Sequence, residues 1–380
     1  MNNLKKIEEY LDKDIPYIDR NSSYKMIEIY RKDLEKYETI TKFPMWIGFK
    51  VTSKCNFKCI HCWVQRRENE PSFEEIIVAL DKLKKMSVMH ITITGGEPFL
   101  RKDILEILRE VKKRRFNLEV FTNASLLNKK IISEIADIID INNDLFQVSF
   151  DASNENIFMK QRLSTNYEHI IDNIKLLIEY GIKVRLNFTA THLNQYDIID
   201  SYKKAIELKV LMFSISHVYD LNNGSTLYDL VDKEAFLKQV EECITLSQNS
   251  STKFRVFIPL EYYSLKAIER KNPNNDMIKR NYIQDWFIHS DGSIYPDVTT
   301  EYDDFYLGNI YKDNIEIILN NVDKKIDILC YRDLTGSKCE KCSEYKNCEG
   351  GDKGRAYKEF HNVNKPDPRC IAFNDNHDKR

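Results

Sequence analysis

The stretch Cys55-Asn-Phe-Lys-Cys59-Ile-His61-Cys62 decides how the rest of this chain is interpreted. Its three thiols are separated by gaps of three and two residues, so they can converge from one loop. Three thiolates suit an iron–sulfur cubane and leave one iron without a protein ligand. Such an iron is a site for chemistry, whereas a fourth cysteine would close the cluster for electron transfer or structure. The sequence therefore predicts a cluster with an open iron.

A structural zinc site is the alternative for these cysteines, and such sites usually have four ligands. His61 is the residue that would complete the set. It stands directly beside Cys62, so we expect its side chain to point away from a metal that this thiolate binds. The sequence favours the cluster over zinc and leaves both open.

A second motif, Gly95-Gly96-Glu97-Pro98, follows the β-branched run 91–94. Two glycines let the backbone approach a ligand closely, and Glu97 can pair with a buried ammonium. The cysteine triplet and this motif together resemble the signature of radical S-adenosylmethionine (radical SAM) enzymes. The resemblance covers roughly residue 45 to the end of the chain and is most specific in these two stretches.

The resemblance implies two cofactors at this site, S-adenosyl-L-methionine and a 4Fe–4S cluster. The amino group of the cofactor's methionine is expected at the glycine motif, and the cluster at the cysteine triplet. The residues implied are Gly95, Gly96 and Glu97 for the methionine, and Cys55, Cys59 and Cys62 for the cluster.

Composition excludes several other classes of protein. The 380 residues are 42% hydrophobic, which is enough for a large domain and a smaller one. No apolar run approaches the ~20 residues of a membrane span, and the N-terminus has no signal-peptide pattern. The net charge of −2 with mixed signs argues against a nucleic-acid surface. Nine clustered cysteines in a chain expected in the cytoplasm favour metal binding or catalysis over disulfides.

Strand and helix patterns alternate six times between Trp46 and Ser247, which predicts a parallel, curved α/β sheet. The fold that the resemblance implies is a partial (β/α)6 TIM-like barrel with a small cysteine-rich C-terminal domain. We divide the chain into a helical N-terminal extension at 1–44, a core at 45–270 and a C-terminal domain at 271–380. The extension is expected to cap the barrel, since it is short for a domain that binds a leader peptide.

The same alternation predicts the limits of the individual strands and helices. The strands are expected at 46–52, 90–94, 118–122, 146–151, 183–190 and 210–217, with a further strand at 253–259 and a hairpin at 286–296. The helices are expected at 72–86, 103–113, 128–139, 167–180, 196–208 and 233–247, the first capped by Ser72 and Glu75.

Polar residues at the carboxyl ends of these strands are the remaining candidates for cofactor binding, because ligands of such barrels bind there. The resemblance implies that Ser149 and Arg162 contact the carboxylate of the cofactor. Asn123 and Asn187 rank below them, since such residues at strand ends are most often turn formers. His217, Tyr219 and Asp220 close the sixth strand and are expected to face the substrate, although a structural role for His217 is an equal alternative.

A second cysteine group lies near the C-terminus at Cys339, Cys342, Cys348 and Cys370. Four thiols in a loop-rich segment indicate zinc or an iron–sulfur cluster. Their order after Gly292 resembles the SPASM extension of radical SAM enzymes, which normally holds two auxiliary clusters. The resemblance implies that these four cysteines bind one auxiliary 4Fe–4S cluster.

The other auxiliary cluster is not expected, because three of its cysteines are missing. Asp297 and Asp352 stand at two of the expected positions, and residues 276–282 contain no cysteine. Asp297 therefore becomes a candidate catalytic residue, for substrate binding or acid–base chemistry, with a solvent-facing hairpin aspartate as the equal alternative. Cys243 is expected to be a buried helix residue, and Cys330 is a further candidate as a hydrogen-atom donor.

The resemblance implies a radical SAM oxidoreductase that cleaves S-adenosylmethionine to a 5′-deoxyadenosyl radical, which takes a hydrogen atom from the substrate. The leading hypothesis for the substrate is a ribosomally made peptide, which would be crosslinked, oxidised or epimerised by this peptide maturase. The alternative is a dehydrogenase or epimerase of a small molecule such as an amino sugar. A zinc-stapled binding protein is the alternative from another class. The expected partners are a flavodoxin- or ferredoxin-type reductant and no nucleic acid or membrane.

Overall fold

Parallel strands separated by helices build the larger part of this protein. The structure is a computed structural model that describes residues 44–65, 67, 69–271, 278–279 and 285–373. The predicted helical extension at 1–44 lies outside the described residues except for its last residue.

The bounds of the elements agree closely with the sequence pattern in the first half of the chain. The strands are β1 (Trp46–Thr52), β2 (His90–Gly95), β3 (Asn117–Thr122), β4 (Leu145–Ser149), β5 (Val184–Ala190), β6 (Met212–His217), β7 (Lys253–Phe257), β8 (Ile278–Lys279), β9 (Asp285–Ile288), β10 (Ser293–Tyr295), β11 (Gly308–Asn309) and β12 (Tyr331–Arg332). The helices are α1 (Phe73–Lys85), α2 (Ile104–Lys113), α3 (Lys129–Ile138), α4 (Glu155–Arg162), α5 (Tyr167–Glu179), α6 (Ile198–Glu207), α7 (Lys233–Ser247), α8 (Ile315–Lys324), α9 (Ile326–Cys330), α10 (Tyr345–Cys348) and α11 (Lys353–Phe360).

Strands β1 to β7 are parallel neighbours in one curved sheet, with helices between them in the chain. The predicted partial (β/α)6 barrel is therefore confirmed. The sheet continues beyond β1, because β9 pairs with β1 in parallel and leads into β10 and β11. The hairpin of the C-terminal region is thus part of the same sheet as the barrel.

The two faces of the sheet differ in chemistry. Ile47 and Phe49 on β1 are fully buried in the apolar layer between strands and helices. The alternate residues face the inside of the barrel, where polar side chains pair with one another. Glu119, for example, lies 2.5 Å from Arg185, and both are almost completely buried. Alternation of apolar and polar positions along the strands therefore produces a barrel with a polar interior.

Helix starts follow the expected capping chemistry. Ser72 accepts a hydrogen bond from the backbone of Glu75, whose side chain bonds back to the Ser72 amide, so the predicted capping box is present. Helix α4 was not predicted, although Asn154 caps it in the ordinary way. The fourth strand ends at Ser149 rather than Asp151, because Asp151 adopts a left-handed backbone with φ of 61°.

Candidate active site

The first cysteine loop follows the carboxyl end of β1. Its three thiols lie close enough to act on one another electrostatically, with Cys59 buried and Cys55 and Cys62 half-buried. Burial raises the pKa of Cys59 to about 11 and that of Cys55 above its usual range. A bound metal cluster supplies the positive charge that buried thiolates need, so this loop fits a cluster ligand set.

His61 lies in this loop but turns toward another partner. Its Nε2 atom is 3.4 Å from a carboxylate oxygen of the buried Asp151, and burial lowers the pKa of the ring to about 4. Within the described residues, no three His, Cys, Asp or Glu side chains converge closely enough to hold one ion.

Arg162 connects the loop to helix α4. One of its terminal nitrogens donates to the sulfur of Cys59 across 3.7 Å, and the other forms a buried ion pair with Asp151. The backbone amide of Ile60 also donates to the carbonyl of Gln161 at 3.1 Å. The structure thus places Arg162 against a predicted cluster ligand, where its positive charge favours the thiolate form.

The two glycines of the second motif are needed where β2 approaches the chain before Cys55. A Cβ atom at Gly95 would lie 2.1 Å from the carbonyl oxygen of Thr52, and one at Gly96 would lie 2.1 Å from that of Lys54. The Gly96 amide donates to the Thr52 carbonyl at 2.9 Å. Any larger residue would push the two motifs apart, so the glycines bring the predicted cofactor site to the cysteine loop.

Glu97 is completely buried behind this contact. Its carboxylate accepts hydrogen bonds from the Asn123 amide at 2.7 Å, the Thr122 hydroxyl at 2.8 Å and the Phe99 amide at 3.1 Å. Burial raises its pKa to about 7 despite these donors. A cation beside this carboxylate would restore its charge, which fits the predicted ammonium of the cofactor.

The remaining predicted cofactor residues lie along the same edge of the sheet. The side chain of Asn123 donates to Asn56 in the cysteine loop at 2.9 Å. Ser149 at the end of β4 stands opposite Asn187 in the middle of β5, and Asn187 accepts from Ser214 at 3.0 Å. The structure therefore places Asn123 and Ser149 at the carboxyl ends of their strands, whereas Asn187 lies three residues before the end of β5.

The C-terminal cysteines form a second group. Every pair among the four thiols is close enough to interact electrostatically, which brings together residues that are up to 31 positions apart in the chain (370 − 339). Burial raises the pKa of Cys348 well above its usual range, as it does for Cys339 and Cys342. The donor set therefore fits a second cluster.

One buried arginine holds the loops that carry these cysteines. Arg332 donates to the carbonyls of Val363 at 2.7 Å, Gly351 at 2.8 Å and Lys365 at 2.5 Å. Each bond satisfies a loop carbonyl that has no strand or helix partner, and a charged donor makes such bonds stronger than neutral ones. Arg332 therefore fixes the segment around Cys348 against the segment before Cys370.

A cavity of about 190 Å³ lies between the carboxyl ends of β6 and β7 and the start of α11. Its lining includes the predicted substrate-facing residues His217, Tyr219 and Asp220. His217 is almost completely buried; its Nδ1 atom lies 3.0 Å from the Val218 carbonyl, and its Nε2 atom has no hydrogen-bond partner in the described part of the chain. A neutral ring that donates through Nδ1 presents an acceptor at Nε2.

Charged side chains close one side of the cavity. Arg355 lies 3.1 Å from Glu261 and 2.8 Å from Asp367, and Arg369 lies 2.8 Å from Asp220. Burial raises the pKa of Glu261 to about 7. This wall was not predicted, because its members come from three distant parts of the sequence.

Asp352 lines this cavity, and Asp297 lies close enough for its charge to act on Asp352. The turn after Asp297 contacts the start of α11, since a Cβ atom at Gly354 would lie 2.2 Å from the carbonyl oxygen of Thr299. The Oδ1 atom of Asp297 accepts a hydrogen bond from the Thr299 amide, and the Oδ1 atom of Asp352 accepts one from the Arg355 amide. Burial is the first cause of the raised pKa of Asp352, and the negative charge of Asp297 raises it further.

Sequence reasoning missed a polar group inside the barrel. Lys50 on β1 is 2% exposed, and its Nζ atom lies 3.2 Å from His289 and 3.8 Å from Glu301. It also lies 4.4 Å from the centre of the Trp63 ring. Burial lowers the pKa of Lys50 to about 8. The sequence signal for this buried polar group is a lysine within an otherwise largely apolar strand.

Two further cysteines lie apart from both groups. Cys243 is buried in α7, as expected for a small apolar residue, and Cys330 is buried at the end of α9. Cys330 is not part of the cavity lining.

Comparison with known proteins identifies the class. Residues 49–205 match the model of the Radical SAM superfamily. Residues 49–205 therefore form a radical SAM domain, and the two cofactors predicted for it, S-adenosyl-L-methionine and a 4Fe–4S cluster, are those of that family.

The similar proteins of known name are distant. The antilisterial bacteriocin subtilosin biosynthesis protein AlbA of Bacillus subtilis (strain 168) is 28% identical over 285 residues, which is 73% of this chain and 60% of AlbA. Fe-coproporphyrin III synthase of Methanosarcina barkeri (strain Fusaro / DSM 804) is 25% identical over 53% of this chain and 50% of that protein. The match therefore spans between half and two thirds of these relatives.

The fold is also that of a solved structure. Streptococcus suis SuiB bound to the precursor peptide SuiA aligns with a TM-score of 0.72 over 97% of this chain and 87% of SuiB, at 21% identity. Among the described helices, none is both long and apolar enough to cross a membrane.

Proposed function

We propose that this protein is a peptide maturase that removes a hydrogen atom from a ribosomally made peptide and thereby crosslinks, oxidises or epimerises it. The observation that carries the proposal is the cavity between β6, β7 and α11, at the edge of the barrel that also holds the first cysteine loop. AlbA takes part in the biosynthesis of a bacteriocin, and SuiB binds a precursor peptide. Both relatives support a peptide substrate.

The cysteine loop and the glycine motif would hold the cofactors. Cys55, Cys59 and Cys62 would bind the first cluster, and Glu97 would pair with the amino group of S-adenosylmethionine. Bound together, these groups supply the 5′-deoxyadenosyl radical. Ser149 and Asn187 would orient the cofactor from the neighbouring strands β4 and β5, with Arg162, Asn123 and the glycines completing the site.

Asp297 would act on the substrate from the rim of the cavity. Its neighbour Asp352 lines the cavity, and the two carboxylates act on each other, which favours uptake of a proton by one of them. A substrate that loses a hydrogen atom often also loses a proton. Asp297 would accept that proton or hold a cationic group of the peptide.

The C-terminal cysteines would hold one auxiliary cluster, and a flavodoxin- or ferredoxin-type protein would supply the electron. We place the reaction in the cytoplasm, with neither nucleic acid nor membrane as a partner. The domain limits at 45–270 and 271–380 remain our proposal, with the hairpin shared between the two regions through the pairing of β9 with β1.

The test uses the reconstituted enzyme with S-adenosylmethionine and dithionite. A short peptide encoded beside the gene should increase the formation of 5′-deoxyadenosine, and mass spectrometry should show a changed residue in that peptide. A scrambled version of the peptide is the control. A peptide that stays unchanged, while an amino sugar is oxidised or epimerised, would contradict the proposal in favour of the small-molecule alternative. Zinc without iron in the purified protein would favour the binding-protein alternative.

A further inference from the structure

A shallow hollow lies on the outer side of the first cysteine loop. We call it the α4 hollow; it has a volume of about 520 Å³ and is lined by Asn56, Phe57, Met159, Leu163, Ser164, Thr165 and Asn166. Asn56 and Phe57 lie between the cluster ligands Cys55 and Cys59, so the floor of the hollow belongs to the ligand loop itself. A protein seated here would therefore touch the loop that carries the predicted cluster ligands.

The opposite wall is the end of α4, where large apolar side chains face solvent. Met159 is 42% exposed and Leu163 is 58% exposed. Leu163 ends the helix with a left-handed backbone, φ 52°, a conformation that asparagine and glycine adopt more easily than leucine. Together with Met159, this leucine gives the wall of the hollow an exposed apolar patch that a partner protein would bury.

The wall and the floor are held together rigidly. The Ile60 amide donates to the Gln161 carbonyl at 3.1 Å, and Arg162 reaches the sulfur of Cys59 at 3.7 Å. A molecule seated in the α4 hollow would therefore contact a surface that is fixed relative to the cluster ligands.

The charge around the hollow is mainly positive. Lys58 in the ligand loop, Lys54 just before it and Lys160 on α4 are exposed, and they outnumber the exposed acids nearby in the chain, which are Glu155 at the start of α4 and Glu168 after Asn166. Basic residues at the rim of an apolar patch attract an acidic protein and orient it during the encounter. These basic residues disfavour docking of the same patch on a second copy of this chain, because the two patches would repel each other.

We infer that the α4 hollow is the docking surface for an acidic carrier protein of the flavodoxin type. The apolar centre fits a carrier whose flavin exposes an apolar ring edge, and the lysines fit its acidic rim. In each encounter the reduced flavin would give one electron to the cluster that Cys55, Cys59 and Cys62 would hold, so electrons balance and no bond is made or broken. The inference rests on the radical SAM chemistry proposed above and adds the partner surface.

Binding is the first test, because it does not depend on turnover. The probe is an oxidised bacterial flavodoxin, titrated at low salt against the cluster-loaded enzyme. The double variant Lys58→Glu/Lys160→Glu should bind it roughly tenfold or more weakly. Leu163→Asn should also weaken binding, while the unfolding temperature should not fall, because asparagine suits the left-handed backbone.

The matched control is Lys341→Glu/Lys346→Glu, which reverses two exposed lysines beside the C-terminal cysteines. This pair should bind flavodoxin like the wild type. If this control loses affinity while the α4 variants keep theirs, the electron enters at the C-terminal cluster and the inference is wrong.

The second test compares two electron sources. Formation of 5′-deoxyadenosine should fall at least several-fold in the α4 variants when flavodoxin and its reductase supply electrons, and should stay unchanged with dithionite. An equal fall with both sources, or a loss with ferredoxin but not flavodoxin, would overturn the docking assignment. Absence of 5′-deoxyadenosine from the wild type with dithionite would overturn the proposed function instead, and the binding titration would still decide the docking surface.

Discussion

The guanidinium of Arg162 donates to the sulfur of Cys59 across 3.7 Å while it pairs with the buried carboxylate of Asp151. Because Asp151 is inaccessible to solvent, loss of this partner would leave a buried carboxylate without its counter-charge. We expect Arg162→Gln to lower the free energy of unfolding by about 3–5 kcal/mol, the typical cost of leaving one member of a buried ion pair alone.

The double variant Arg162→Gln/Asp151→Asn is the control for this prediction. An asparagine removes the uncompensated charge and can still accept the hydrogen bond that Asp151 receives from the Thr189 amide at 2.6 Å. It should recover most of the lost stability in urea denaturation. If the double variant is as unstable as the single one, the ion pair is not what holds α4 to the loop.

The close contact of the two motifs predicts an unusual cost for a small substitution. Gly96→Ala places a Cβ atom 2.1 Å from the Lys54 carbonyl oxygen, and we expect it to cost roughly 3 kcal/mol and to reduce cluster loading. Gly181→Ala is the control, since Gly181 has φ of 77° but no atom within 4 Å of the added Cβ. That variant should lower the free energy of unfolding by only about 1 kcal/mol, because it adds backbone strain alone. If both variants lower the unfolding temperature equally, the clash of the added Cβ atom with the Lys54 carbonyl is not the cause of the loss.

If the C-terminal thiols bind a cluster, removal of one of them should change the iron content of the protein. Two 4Fe–4S clusters correspond to about eight irons per chain, so Cys348→Ser should lower the content toward about four. Cys330→Ser is the matched control, because Cys330 is also buried but lies outside both cysteine groups. Iron analysis and the visible absorbance of the reconstituted proteins measure both. An iron content that Cys348→Ser leaves unchanged would show that this residue is not a ligand.

Much of the barrel could be predicted because its signals are local. Each of the first strands is a short run rich in β-branched and aromatic residues, and the cysteine spacing places its thiols in one loop. The pairing of β9 with β1 could not be predicted, since it joins residues more than 230 positions apart (285 − 46). The same is true of the cavity, whose walls come from the ends of β6 and β7 and from α11.

Helix α4 shows a second limit of sequence reasoning. Its eight residues carry polar and apolar positions without a clear helical period, so only Asn154 signalled its start. The sequence therefore names Arg162 as a cofactor residue without placing it on a helix. The structure adds that it also contacts Cys59, which the sequence did not indicate.

Asp297 provides a prediction about the substrate step. Asp297→Asn should leave 5′-deoxyadenosine formation without substrate within about twofold of the wild type and should reduce substrate turnover by about 100-fold, the usual range for loss of an acid–base group. Asp333→Asn is the control, because Asp333 makes the same kind of turn, accepting from the Thr335 amide at 2.9 Å, outside the cavity lining. Similar turnover in both variants would assign Asp297 to the hairpin turn alone.

The central claim is that the cluster on Cys55, Cys59 and Cys62 keeps one iron for S-adenosylmethionine. The direct measurement is the electron paramagnetic resonance spectrum of the anaerobically reconstituted and reduced enzyme, recorded with and without S-adenosylmethionine. The account predicts that the added cofactor changes the spectrum of the wild type, and that Cys59→Ala abolishes this response while the signal of the C-terminal cluster remains. A wild-type spectrum that is indifferent to S-adenosylmethionine would contradict the account.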